Sequence, residues 1–278
     1  MNNIIYECYL EAGKIASKVR KETLPRIKED IPLLEIAEFV EERIKELGAK
    51  PAFPCNISIN EIASHYTPQD NQPVFKKGDV VKLDIGTHIE GYIADTAATV
   101  EVRSNDHSLL IQTSDEALKN AIRHVKNGVE TSQIGKIIET TINNRGFNTI
   151  KDLTGHNLER YNLHAGVSIP NYKSFFSHSI KKDTVLAIEP FTTYGRGNIK
   201  HGKPFIFAIS NKCKGKTTQD ITKIFESLPF TPRWIPEIKM KELKGTREYF
   251  ESIESDGKIV AQTEHTVIVN EEDCEIIT

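Results

Sequence analysis

Residues 80–102 read VVKLDIGTHIEGYIADTAATVEV, a run rich in β-branched residues and interrupted by glycines at 86 and 91. That is the pattern of strand, turn and strand. Two acids stand inside it, Asp84 in VKLDIG and Asp95 in YIADTAA, each among apolar or small neighbours. Carboxylates rarely enter a buried strand unless something pairs with them or a metal binds them. Their separation of eleven residues fits the two arms of one hairpin turned between Gly86 and Gly91, with both carboxylates on one side. For this pair alone, two exposed strand acids or a salt bridge satisfy the same spacing.

On the N-terminal side the texture is helical. Leu33, Ile36, Val40, Ile44 and Leu47 mark one helix face, with Pro32 in the first turn and Gly48 at the stop. A further helix precedes it. On the C-terminal side helical spacing returns with Ala117, Leu118, Ala121, Ile122 and Val125, opened by Thr113 and Glu116 at capping-box spacing and ended by Gly128. Another helix runs through Ile134, Ile137, Ile138 and Ile142 to Gly146, followed by strand-like runs at 184–194 and 205–210. The order of two helices followed by strands therefore occurs twice, which predicts a duplicated α+β unit. A helical excursion is expected over 217–250, around the Pro-punctuated LPFTPRWIPEIK, and a final strand over 258–269. The chain is expected to form one domain, residues 1–278, carrying a small helical insertion at approximately 212–255.

Composition narrows the function. Lys and Arg number 36 against 39 Asp and Glu, a formal charge of −3, which argues against a protein built mainly to hold nucleic acid or anionic membrane. Hydrophobic residues make up 38% and charged residues 27%, too apolar for disorder. No apolar run approaches the roughly 18 residues of a transmembrane helix. The N-terminal MNNIIYECYLEAGK lacks the features of a signal peptide. Cys8, Cys55, Cys213 and Cys274 are far apart, as expected for reduced thiols in a cytoplasm.

The chemistry-bearing residues extend beyond the hairpin. His156 follows Gly155 in LTGHNLERYNLHAG, Glu189 sits in VLAIEPF and Glu264 in AQTEHTVIV, the last two again acids inside apolar strands. Four carboxylates and an imidazole are a suitable inventory for two hard-to-borderline divalent metals. A phosphate loop is not expected at Gly197–Lys203, although the spacing fits. The next residue is Pro204 rather than a Ser or Thr, and PFIFAIS reads as a strand rather than a helix.

The blocks AFPCNISINEIASHYTP, KLDIGTHIEGYIADTA, LTGHNLERYNLHAGVSIPN, AIEPF and AQTEHTVIV, in this order, resemble the methionine aminopeptidases, and specifically the type II enzymes in their archaeal form. The resemblance covers almost the whole chain. It implies an α+β pseudo-twofold "pita-bread" fold and a helical insertion before the last ligand, for which the separation of 75 positions from Glu189 to Glu264 leaves room. It also implies five ligands, Asp84, Asp95, His156, Glu189 and Glu264, for two divalent ions (cobalt, manganese, iron or zinc) that activate water against the first peptide bond. Asp95 and Glu264 would bridge the ions, Asp84 would chelate one, His156 would bind the other beside Glu189, and Glu189 would act as general base. His65 would assist the leaving group at the scissile amide, and His164 would hydrogen-bond the substrate or the oxyanion. Phe53, Pro54, Leu163, Phe191 and Tyr249 would line a pocket for the methionine side chain, with Cys55 and Asn56 close to it in sequence.

His88, His107, His124, His178 and His201 have no such support and are expected at the surface, with His201 a pocket candidate. The resemblance further implies a cytoplasmic monomer acting on the N-terminal methionine of nascent polypeptides, with transient ribosome contact and no specific nucleic acid or membrane partner. Two competing readings share the fold. Proline-directed peptidases such as prolidase and aminopeptidase P usually carry an additional N-terminal domain, for which the 278 residues are expected to leave no room. Non-catalytic binding proteins of the proliferation-associated type lose metal ligands, whereas all five are present here.

Overall fold

The computed structural model describes residues 1–210, 215–240, 243 and 245–278. Helices α1 (Asn3–Thr23) and α2 (Leu33–Glu46) lead into strands β1 (Lys50–Pro51), β2 (Asn56–Ile59) and β3 (Ile62–Ser64), then the pair β4 (Val80–Ile89) and β5 (Tyr92–Glu101). The second half repeats the order. Helices α3 (Ser108–Ile122) and α4 (Thr131–Asn144) precede β6 (Asn148–Thr149), β7 (Thr154–Leu158), β8 (Ser168–Pro170), β9 (Val185–Ile188), β10 (Phe191–Thr193) and β11 (Ile199–Ala208). After these come α5 (Lys216–Phe225), β12 (Arg247–Glu254), β13 (Val260–Gln262), β14 (His265–Val269) and β15 (Cys274–Ile276).

Each half packs its helix pair on a sheet. In the first, Val81, Leu83 and Ile85 of β4 bury against Leu33, Ile36, Val40 and Ile44 of α2. In the second, Leu186 and Ile188 of β9 and Val267 and Val269 of β14 bury against Leu118 of α3 and Ile134, Ile138 and Ile142 of α4. Side chains alternate across a strand, so burying Leu83 and Ile85 toward the helices turns Asp84 to the opposite face.

The halves meet between β5 and β14. Ala97 and Glu264 form an antiparallel bridge: Glu264 N–H donates to the Ala97 carbonyl at 3.0 Å. The Thr266 hydroxyl accepts from Asp95 N–H at 2.8 Å and donates to the Asp95 carbonyl at 2.7 Å. This seam brings an acid from each half side by side.

The segment after β11 packs Ile221, Phe230, Ile235 and Leu243 against Phe207 of that strand in a separate apolar cluster. It is fastened to α2 by a buried ion pair. Arg233 donates to both Glu41 oxygens at 2.8 Å, Trp234 Nε1 donates to the same carboxylate at 2.7 Å, and Cys55 N–H does so at 3.2 Å.

Several local expectations change. The hairpin turns at Glu90–Gly91 and Gly86 lies inside β4, its missing side chain making room for the Phe53 ring. Helix α3 starts at Ser108, so Thr113 is interior and its hydroxyl bonds back to the Leu109 carbonyl at 2.7 Å instead of capping. Of 217–250, Lys216–Phe225 and Pro232–Trp234 are helical, whereas Arg247–Glu254 is a strand paired with β11 and β3. The final strand is two, β13 and β14, broken at Thr263 and Glu264. Residue 212, where the insertion was expected to begin, and Cys213 lie outside the described residues; Cys8, Cys55 and Cys274 are free. No described helix is long and apolar enough to cross a membrane.

Candidate active site

Asp84 and Asp95 face one another diagonally across β4 and β5. In the ladder Asp84 stands opposite Ala97 and Asp95 opposite Gly86, so both side chains occupy the face away from the helices. The second half supplies the other three groups. His156 on β7 stands opposite Ala187 of β9, and Glu189 lies just beyond the end of β9. Glu264 occupies the break between β13 and β14. All five line one cavity of about 190 Å³. Ligand-capable atoms of Asp95, His156 and Glu264 lie within 4.8 Å of one another. His156 Nε2 is 3.8 Å from Asp95 Oδ2 and 3.5 Å from Glu189 Oε1.

The electrostatics of this cluster are those of a cation site. Burial pushes the carboxyls of Asp84, Asp95, Glu189 and Glu264 upward, and repulsion among them adds to it for the last three. Asp84 rises to about 7, while burial holds the His156 imidazole down to about 4. One oxygen each of Asp84, Asp95 and Glu264 is buried without a hydrogen-bond partner. Arg20 of α1, behind the cluster, donates to the Thr96 hydroxyl and to the Glu264 backbone carbonyl, not to a ligand carboxylate. Four clustered acids, three of them with an orphaned oxygen, and one imidazole held neutral fit divalent metal binding, because a cation supplies the partner that the protein withholds.

His65 and His164 sit on the same cavity. His65 follows β3 with a φ of 64°, in the left-handed region, and its Nδ1 lies 3.2 Å from the Phe250 carbonyl. A carbonyl only accepts, so Nδ1 carries the proton and Nε2 of the neutral ring is an acceptor. Burial keeps this imidazole below its ordinary range. The His164 ring is 4.4 Å from that of His156 and stacks 6.0 Å from Tyr249. Packing, then the neighbouring His156 and His65, hold this imidazole well below its ordinary range.

The sequence profile of metallopeptidase family M24 matches residues 7–271. The chain belongs to metallopeptidase family M24. It is 41% identical to the methionine aminopeptidase of Methanothermobacter thermautotrophicus, over 98% of each chain. It is 44% identical to that of Thermococcus onnurineus, over 98% of this chain and 99% of the other. The crystal structure of methionine aminopeptidase from Thermotoga maritima superposes with a TM-score of 0.79 at 25% identity, covering 100% of this chain and 98% of that one. The pseudo-twofold α+β arrangement is therefore the family's pita-bread fold.

Of the pocket residues expected for this M24 member, Phe53, Leu163 and Tyr249 line the cavity, and Pro54 and Phe191 are not among its lining residues. Pro54 is buried with its carbonyl accepting from Asn56 Nδ2 at 3.2 Å. Phe191 packs instead with Ala63, Ile150 and Val260. Pro190 separates β9 from β10, so the alternation that faces Glu189 into the site does not carry on to Phe191. Among the remaining histidines, His201 is exposed beside Phe250 and does not line the cavity. His124 and His178 are exposed, His107 is half-buried against Tyr194, and His88 is buried, accepting from Gly91 N–H at 3.1 Å. The expectation of a surface position thus fails for His88, whose imidazole burial lowers to about 4.

Asn56, close to the pocket in sequence, lines the cavity, and so do Ser64, Asp152, Ile206 and Pro229, which sequence reasoning passed over. It also passed over Gln262, whose amide donates to Glu264 Oε2 at 3.4 Å. Asn56 stands directly opposite Asp84, a signal available only once β2 is registered on β4.

Proposed function

We propose that this metallopeptidase is a methionine aminopeptidase that hydrolyses the first peptide bond of chains beginning with methionine. The observation that carries the site assignment is the single cavity shared by four acids and His156 from both halves of the fold, with His65 and His164 on its wall. The methionine preference comes from the curated relatives. Asp84, Asp95, His156, Glu189 and Glu264 would hold two divalent ions. When bound, such ions polarise the scissile carbonyl and make water nucleophilic at neutral pH.

The chain's own groups do the rest. Glu189, at the edge of the cluster, takes the proton of the attacking water. His65 Nε2, an acceptor by its hydrogen bonding, receives the N–H of the scissile amide and holds it in register. His164, kept neutral, donates to the carbonyl oxygen as charge develops there. Phe53, Leu163, Ile206, Pro229 and Tyr249 provide an apolar wall for an unbranched side chain. A pocket of this kind separates methionine from a shorter side chain by about 1–3 kcal/mol per methylene. The whole chain, residues 1–278, acts as one catalytic domain in this account.

The test is release of free methionine from Met-Gly-Met-Met by chelator-stripped protein, before and after addition of manganese or cobalt. Metal-restored cleavage is expected in wild type and absent in Glu264→Ala. Preferential cleavage of Xaa-Pro peptides would instead favour the proline-directed enzymes of the same fold.

A further inference from the structure

We propose that Arg20 is a positioning residue of the metal site, holding Glu264 and Asp95 in register across the seam between the halves through the Thr96 hydroxyl. The proposal rests on the reading of Asp95 and Glu264 as metal ligands and names what supports them from behind. Arg20 is only 8% exposed, yet its guanidinium forms no ion pair among the described residues. A charge taken out of water without an ionic partner is costly unless hydrogen bonds hold it. Those bonds go to the seam: Nη1 donates to the Thr96 hydroxyl and to the Glu264 carbonyl, the latter at 3.4 Å.

The direction of the bonds is forced. A guanidinium only donates, so the Thr96 oxygen accepts from Arg20 and its single proton goes to the Glu264 carbonyl, 2.9 Å away. Ala97 N–H donates to the same carbonyl at 3.4 Å. Thr96 follows Asp95 in β5 and stands opposite Ile85, whose side chain packs toward the helices. Its hydroxyl therefore lies on the helix face, while the Asp95 carboxylate faces the cavity. The chain neighbour of one ligand is thus bonded to the main chain of the other, at the break where Glu264 belongs to neither β13 nor β14. Position rather than charge is what Arg20 supplies, because a cation behind the cluster opposes metal ions instead of recruiting them.

The test measures the manganese affinity of chelator-stripped protein by titration calorimetry, and the visible spectrum of its cobalt form. It compares wild type, Arg20→Met, Thr96→Val, Thr96→Ser and the double variant Arg20→Met, Thr96→Val, each shown to be folded by circular dichroism. Arg20→Met and Thr96→Val are each expected to weaken manganese binding about 10–100-fold and to shift the cobalt bands, as for groups that orient metal ligands. Thr96→Ser keeps the hydroxyl and is expected to stay within about threefold of wild type. The double variant is expected within about threefold of the weaker single variant, because both changes break one chain of bonds. Tighter manganese binding in Arg20→Met would overturn the proposal, since it would mark the guanidinium as a charge alone. So would wild-type affinity and spectra in the folded variants, or additive losses in the double variant. Thr96→Val, which alters neither charge nor shape, decides the matter if Arg20→Met does not fold. Wild-type protein that takes up neither manganese nor cobalt would defeat the ligand reading itself, and the proposal with it.

Discussion

Asp84 and Asp95 occupy one face of the β4–β5 ladder two residues out of register, Asp95 lying opposite Gly86 rather than opposite Asp84. This diagonal puts two carboxylates beside each other in a buried cleft, and its cost sets the behaviour of the metal-free chain. The Asp84 carboxyl is pushed up to about 7 by burial. A folded pKa above the unfolded value near 3.9 means stability that is present below the unfolded pKa and lost as pH rises through about 7. In the presence of EDTA, Asp84→Asn should therefore gain roughly 1–3 kcal/mol on wild type between pH 5 and pH 8.5. Denaturant melts at the two pH values check this; a difference that does not grow with pH contradicts it.

The ion pair between Arg233 and Glu41 ties the Pro232–Trp234 turn to α2, and both side chains are largely buried. Removing one partner leaves the other charge desolvated, so Arg233→Leu should cost about 3–5 kcal/mol. The double variant Glu41→Leu, Arg233→Leu should cost clearly less than the sum of the single changes. Because Glu41 also holds Cys55 N–H, next to Asn56 and near Phe53, the single variants should raise KM for methionine peptides as well. Unchanged KM with lowered stability would detach the clamp from the cavity.

Gly86 has no side chain where the Phe53 ring packs, and a Cβ there would collide with that ring. Gly86→Ala must displace Phe53, a buried wall of the cavity. A loss of about 1–3 kcal/mol is expected from overpacking, with a rise in KM for methionine-first peptides. Steady-state kinetics with Met-Gly-Met-Met would show it, and an unaltered KM would remove Phe53 from the methionine wall.

Glu189 is assigned the proton of the attacking water. Glu189→Gln keeps size and one acceptor while losing the base, so kcat should fall about 10²–10⁴-fold. Metal content must be followed at the same time. A fall explained entirely by lost metal would make Glu189 a ligand only.

Four of the five candidate ligands, Asp84, Asp95, Glu189 and Glu264, are legible because acids inside apolar runs are anomalies that demand a partner. That anomaly alone does not single out a site. Glu254 is also buried in a strand, yet its Oε2 accepts from the backbone N–H of Asp256 and Lys258, and buried Lys82 donates to the Asn60 carbonyl at 2.7 Å. The family blocks, not the periodicity, separated these cases in advance. Gln262 escapes because an uncharged amide raises no alarm in sequence, and Asn56 is legible only as a neighbour of the pocket until the register of β2 on β4 sets it beside Asp84. Pro54 and Phe191 are pocket residues only by what the resemblance implies, and Pro190, between β9 and β10, breaks the alternation that would carry Phe191 to the face of Glu189. Thr113 matched a capping pattern, but Leu110 and its neighbours extend the helix one turn earlier into the core of the second half.

The central claim is that the acid and histidine cluster holds two divalent ions and works through them. The most direct measurement is a manganese titration of chelator-stripped protein that follows bound ions per chain and methionine release together. Binding should reach two ions per chain, activity should rise with it, and Glu264→Ala should lose both. Methionine release that persists in excess EDTA, or metal binding left intact in Glu264→Ala, would contradict the account.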